Sequence, residues 1–221
     1  MILQNDGETA AAPRLEFIVS RYSQSTRRGN MSVQRFELEI GASVYGARLV
    51  ATEPINAGEI VYRIEQYKLT KKPTYQTIQI GPNKHLKELG VLAYLNHSCR
   101  PNVAVNTHAL TVFACRDIAP GDELSFFYPS TEWKMDRPFA CLCGAPECIR
   151  LVAGAIYVPL DVLSRYFIND HIRQMALALL ENTAAGGLAS PQDMLVNKSA
   201  GLISPAENLM NYPKASRRET V

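Results

Sequence analysis

The sequence predicts a β-rich α+β fold, and three observations carry that prediction. Apolar and polar residues alternate in a series of short segments, the pattern of half-buried strands. Gly, Pro, Asn and Asp recur between those segments, where tight turns are needed. Helical periodicity is strong in one place only, towards the carboxy-terminal end. The chain has 221 residues, 47% of them apolar, enough for one domain with extensions or two small domains.

In chain order, "RLEFIVSRY" and "VQRFELEIG" alternate with period two and read as strands, with "SQSTRRGN" as the loop between them. "YGARLVATEPINAGEIVYRIEQYKLT" reads as strand, Pro/Asn/Gly turn and strand. "YQTIQIGPNKHL" alternates and breaks at Gly81-Pro82, and "LKELGVLAYL" is the first candidate short helix. "NVAVNTH", "ALTVFACRD" and "DELSFFY" read as three further strands, the last two separated by the turn "APGD". The stretch from Pro159 to about residue 185 reads as a helix. Pro159 and Asp161 suit its start, Gly186-Gly187 its stop, and a break is expected near "NDH". Residues 1–14 read as a polar leader, and 188–221 as a flexible tail with few aromatics.

The net charge is +2, without the basic stripe of a nucleic-acid binder, so no direct nucleic-acid contact is expected. No apolar run is long enough to predict a membrane span. The polar amino-terminal segment lacks the charged-then-apolar order of a secretory leader. An odd count of five cysteines argues against a disulfide framework. A cytoplasmic or nuclear location is expected.

Two segments carry chemistry. "CLCGAPEC" is a C-x-C-x4-C cluster, Cys141, Cys143 and Cys148, whose spacing suits thiolate ligation of zinc. A closed structural site takes four protein ligands, and Cys99 is a candidate for the fourth; Cys115, in a strand pattern, reads as a small apolar residue. The second segment is "LNHSCRPN", Leu95 to Asn102, which places polar groups where the flanking pattern predicts a core. Such groups must satisfy one another or hold something else.

Taken together, "NHSCRPN", "APGDELSFFY" and "CLCGAPEC" resemble the SET-domain family of S-adenosylmethionine-dependent protein lysine methyltransferases, with "YGARLVATEPINAGEIV" resembling its first motif. The resemblance covers about residues 36–150. It implies a SET-domain fold of short sheets with a pseudoknot at "NHSC", closed by a zinc-bound post-SET lobe. The implied division is a leader and strand over 1–35, SET domain 36–130, post-SET lobe 131–152, helical extension 153–187 and tail 188–221.

The resemblance also implies roles. Tyr128 is the catalytic tyrosine. Tyr45, Gly46, Ala47, Arg48, Asn96, His97, Tyr128 and Leu142 are expected at the cofactor, and Cys99, Cys141, Cys143 and Cys148 at structural Zn2+. Phe126 and Tyr62 are expected along the substrate channel, with Tyr67 and Tyr75 as further candidates. Phe126 falls where the family places Phe or Tyr, and lacking a hydroxyl it favours addition of more than one methyl group. Ser98 and Asn102 are expected to satisfy the turn. Trp133 and Phe139 either roof the channel or pack as an apolar cluster. Two positions depart from the family pattern: Arg48 replaces a second glycine, and Phe127 replaces the Asp or Asn common before the tyrosine.

The expected activity is methyl transfer from S-adenosyl-L-methionine to a lysine side chain of a protein, histone or not. A SET-fold enzyme acting on a small molecule or peptide with the same cofactor, and a non-catalytic SET-fold binding protein, are the alternatives. Retention of Tyr128 and the whole "NHSCRPN" segment argues against the latter.

Overall fold

The computed structural model describes residues 34–41 and 46–184. The strand expected in "RLEFIVSRY", the leader, the tail, Tyr45 and the stop at Gly186-Gly187 lie outside the described residues.

The polypeptide forms small sheets from short strands, as the alternating segments predict. β1 (Phe36–Ile40) and β2 (Ala47–Ala51) pair antiparallel in full register. β3 (Ile60–Arg63) belongs to a second sheet, and β4 (Lys68–Thr70), β5 (Ile78–Gly81) and β6 (Lys84–Lys87) make a third. β7 (Asn96–His97) holds the start of the polar motif. β8 (Val103–Asn106) and β9 (Thr111–Ala114) form a hairpin that β3 joins in the order β3-β9-β8. β10 (Glu123–Phe126) pairs antiparallel with β2 on one side and parallel with β7 on the other, giving the order β1-β2-β10-β7. β11 (Phe139–Ala140) and β12 (Leu151–Val152) bracket the cysteine cluster.

The parallel pairing of β7 with β10 positions the site. Ser98 N–H donates to Phe126 O, and Asn102 N–H to Ser125 O, so the polar motif runs alongside the segment that ends in Tyr128. Leu49 and Leu124 face each other across β2 and β10 and are almost wholly buried, which fixes the register.

Two expectations change, and the expected helix break is located. The segment "LKELGVLAYL" is divided: Lys87 closes β6, Glu88 and Gly90 take positive φ, and a 3-10 turn spans Gly90–Tyr94. Two left-handed residues so close together stop an α-helix from forming there. The carboxy-terminal helix is split near "NDH", as expected, into α1 (Leu160–Leu163) and α2 (Asp170–Ala184). The break lies at 164–169, before "NDH" is complete, because Asn169 is pinned by tertiary bonds. Its Nδ2 donates to Val105 O and Ser130 O, both at 2.9 Å, and its Oδ1 accepts from Thr107 N and Oγ1. Finally, Cys115 is exposed just past the end of β9 and is not a core residue.

Among the described residues no helix is long and apolar enough to cross a membrane.

Candidate active site and cysteine cluster

Tyr128 opens the turn that follows β10. Its hydroxyl donates to Leu95 O at 3.0 Å. Its ring lies 4.7 Å from Phe126, 5.2 Å from His97 and 6.0 Å from Phe139, centre to centre. On one side is a cavity of about 50 Å³, whose lining includes Leu95, Phe126, Tyr128 and Glu132, with Tyr75 and Arg137 also contributing. Tyr75 is exposed, and the Arg137 guanidinium sits 5.0 Å above its ring.

His97 is buried, and its ring is occupied by the protein. Tyr128 N–H donates to Nδ1 at 3.2 Å, so that nitrogen is the acceptor. Burial pushes the imidazole down to about 3, so the ring is neutral and its proton is on Nε2, which faces Cys99 Sγ at 3.4 Å. One side chain thus connects the Tyr128 backbone to a cysteine of the cluster. Asn96 Nδ2 donates to Ala47 O and to Glu123 Oε1, both at 2.8 Å, which brings the first motif against the polar one. Gly46 has φ +88, which glycine adopts without strain.

Ser98 Oγ accepts from Arg100 N and holds the turn as expected. Asn102 does not satisfy the turn itself. Its side chain bonds across to β10, donating to Glu123 O and accepting from Ser125 N.

Cys99, Cys141, Cys143 and Cys148 converge, with all four sulfurs within 4.8 Å of one another. Four thiolates at Zn–S bonds of about 2.3 Å in tetrahedral geometry would lie roughly 3.8 Å apart. Cys99 and Cys141 sulfurs are separated by 3.8 Å. Ile149 N–H also donates to Cys99 Sγ, and Arg150 N–H to Cys148 Sγ. Burial pushes the Cys99 and Cys141 thiols up, so a cation is what would let thiolates persist here. The donor set fits a tetrahedral zinc site.

The two departures have structural partners. Arg48 faces Glu39 across β1 and β2, with guanidinium–carboxylate distances of 2.7 and 2.8 Å. Phe127 is fully buried and stacks on Tyr166 at 3.8 Å, in a cluster with Ala155, Val158, Leu163, Ile168 and Ile172. Its apolar character serves the helical extension.

Not every expected site residue reaches the cavity. Tyr62 lies on β3, edge-on to Phe36 at 6.0 Å, and is not part of the cavity lining. Leu142 projects from the cysteine loop and is 65% exposed. Trp133 packs with the helical extension, and Phe139 with Tyr128 and His97.

Glu132 was not among the residues expected at the site. It is buried in the cavity wall, and burial pushes its carboxyl up to about 7. Oε1 accepts from Gln79 N at 2.8 Å and from Thr131 Oγ1 at 3.2 Å.

Comparison with known proteins identifies the family. The SET domain family matches residues 46–129. Methyltransferase flvH of Aspergillus flavus is 38% identical over 137 residues, which cover 61% of this chain and 77% of that protein. A histone-lysine N-methyltransferase of Mycosarcoma maydis, H3 lysine-36 specific, is 29% identical over 136 residues, 55% of this chain and 14% of that protein. Among solved structures, KRYPTONITE in complex with mCHG DNA and SAH aligns with a TM-score of 0.43 at 24% identity, covering 53% of this chain and 29% of that one. The chain belongs to the SET-domain family of methyltransferases.

Proposed function

We propose that the protein transfers a methyl group from S-adenosylmethionine to the side-chain amine of a lysine in a protein or peptide. The observation that carries this reading is the position of Tyr128. Its hydroxyl is held on the Leu95 carbonyl at a cavity wall, directly beside the Asn96–His97 strand. S-adenosylmethionine, when bound, supplies an electrophilic methyl group on sulfur.

The residues of the chain would do the remaining work. Gly46, Ala47, Arg48 and Asn96 form the edge proposed to receive the cofactor, with Tyr45 preceding them in sequence. Asn96 is oriented by its bonds to Ala47 and Glu123. His97 contributes by position: its ring holds the Tyr128 backbone and Cys99, leaving its main chain for the cofactor. Leu142, being exposed, is proposed to cover the cofactor from the cysteine loop.

A lysine amine has an ordinary pKa of about 10.4 and must shed its proton before attack. Tyr128 and the Leu95 carbonyl would orient it, and Phe126 would narrow the channel while excluding water. With Phe126 offering no hydroxyl, addition of more than one methyl group is expected. Zn2+ held by Cys99, Cys141, Cys143 and Cys148 would be structural.

A second reading, a free small-molecule amine as acceptor, draws support from flvH. That relative is covered over most of its length and is named as a methyltransferase without a histone substrate. Histone-specific relatives support the protein reading and a nuclear location.

The test is calorimetry of S-adenosylmethionine on zinc-replete protein, followed by Tyr128→Phe. Micromolar binding, about −8 kcal/mol, is expected, with Tyr128→Phe abolishing turnover and leaving cofactor affinity within a few-fold. Full activity in the variant would remove Tyr128 from catalysis, and no cofactor binding by folded protein would overturn the reading.

A further inference from the structure

We infer that Glu132 forms an anionic wall of the acceptor cavity and selects a primary or methylated ammonium ion as the group that enters. The inference rests on the proposed reading of that cavity as the acceptor site. It goes beyond that reading by naming the chemistry that recognises the acceptor.

The geometry is specific. Glu132 is 8% exposed and shares the cavity wall with Phe126 and Tyr128. Its backbone is held at both ends, Glu132 N–H donating to Tyr128 O and Ala155 N–H donating to Glu132 O. Gln79 clamps the same point twice. Its backbone N–H donates to Glu132 Oε1, and its side-chain oxygen accepts from Trp133 N. Both hydrogen bonds to the carboxylate fall on Oε1, and among the described residues Oε2 accepts none. No cationic side chain among the described residues pairs with Glu132. The remaining charged residues of the lining, Asp136 and Arg137, lie 3.8 Å from each other.

A buried carboxylate without a cation is costly, and the cost falls when a cation arrives. A cavity walled by tyrosine, phenylalanine and a carboxylate offers an ammonium aromatic neighbours and a charge-assisted hydrogen bond within an ion pair. A neutral hydroxyl could donate to the carboxylate but would gain neither the ion pair nor a cation–π contact. A purely structural role for Glu132 needs only the Oε1 acceptor, which glutamine also provides. Glu132→Gln therefore separates the two roles.

The probes are S-adenosylhomocysteine and sinefungin, a cofactor analogue in which an amine-bearing carbon replaces the methylsulfonium. Their affinities are measured by calorimetry on the full zinc-replete chain. Wild type should prefer sinefungin by about tenfold or more, the scale of one charge-assisted hydrogen bond. Glu132→Gln should reduce that preference to about twofold while S-adenosylhomocysteine affinity stays unchanged. An unchanged preference in Glu132→Gln, or none in wild type, would overturn the inference while leaving the cofactor reading intact. Failure of both ligands to bind folded wild type would overturn both.

Should Glu132→Gln not fold, the wild-type preference is read at pH 5.5 and pH 8, on either side of a carboxyl that burial places near 7. The other titratable or charged groups around it are Tyr75, Tyr128, Asp136 and Arg137 on the cavity lining, and His171, whose Nε2 lies 2.8 Å from Thr131 O. Loss of the preference at the lower pH supports the inference, and its retention overturns it.

Discussion

Two neighbouring lobes close on the turn that carries Tyr128, and they are held by opposite means. The cysteine lobe packs Cys99, Cys141 and Val152 against Tyr128 and Phe139, with little apolar bulk of its own. The helical extension packs five buried apolar side chains around Phe127 and fastens the join with Asn169. Phe127 and Tyr128 are adjacent in sequence, yet each belongs to a different lobe. The lobe next to Tyr128 is built on four converging thiols that fit a zinc ion, whereas the lobe next to Phe127 depends on burial. The first can be dismantled chemically and the second only by mutation.

Metal removal should therefore have the largest effect and a local one. Structural zinc in small domains contributes on the order of 10 kcal/mol to folding. Chelation, or Cys143→Ser with its lost zinc stoichiometry, should abolish activity and expose amides of residues 139–152 to hydrogen exchange. Residues 170–184 should keep their protection. Equal loss in both regions would show that the lobes fold as one unit. Unchanged metal content in Cys143→Ser would remove the zinc assignment.

Phe127→Ala comes next and attacks the other lobe. Truncating a fully buried phenylalanine costs about 3–5 kcal/mol. Denaturant unfolding should show that loss while zinc content remains intact. Gly154 provides a companion test. It has φ +116, and an added Cβ would come within 2.5 Å of Trp133 O, so Gly154→Ala should also loosen the join.

The contrast between the lobes explains what the sequence revealed. The cysteine lobe and polar motif were legible because ligand chemistry demands particular residue types at fixed spacing. The four converging cysteines and the strands around "NHSCRPN" follow from that. The extension was legible as helix with a break near "NDH", but what holds that break was not, since Asn169 is set by bonds to Val105 and Ser130 far away in sequence. Phe127 looked like a departure because its stacking partner lies in the extension. Glu132 sits in the polar-looking string "STEWKMD", and its burial comes from pairing with Gln79, which no local pattern reports. Tyr62 is the converse case: an aromatic expected along the channel that lies on β3, outside the lining of the cavity beside Tyr128.

Glu132 lies at the seam, with its backbone carbonyl bonded to the extension and its side chain in the wall of the cavity beside Tyr128. Its carboxyl is raised by burial from 4.5 to about 7. A raised carboxyl contributes stability that is fully present below the unfolded value and lost as pH rises through the folded one. Stability should thus fall between about pH 4.5 and 7 by at most about 3 kcal/mol from this group. Glu132→Gln should flatten that component and raise the melting temperature at pH 8. An unaltered stability profile would mean that the carboxylate is solvated in solution.

The smallest expected effect tests whether the lobes communicate. Tyr166, from the extension, stacks on Phe127 and donates its hydroxyl to Cys99 O at 2.8 Å. Burial pushes that hydroxyl up to about 12, so it remains a donor across the working range. Tyr166→Phe keeps the stack and removes the hydrogen bond, at a cost of about 1 kcal/mol. If the bond helps to position Cys99, zinc should also dissociate more readily, by about fivefold for the same energy. Combined with Phe127→Ala, the Tyr166→Phe loss should shrink, because the ring would no longer be held against its partner. Strict additivity of the two changes, with zinc release unaltered, would mean that the cysteine lobe and the helical extension close on Tyr128 independently.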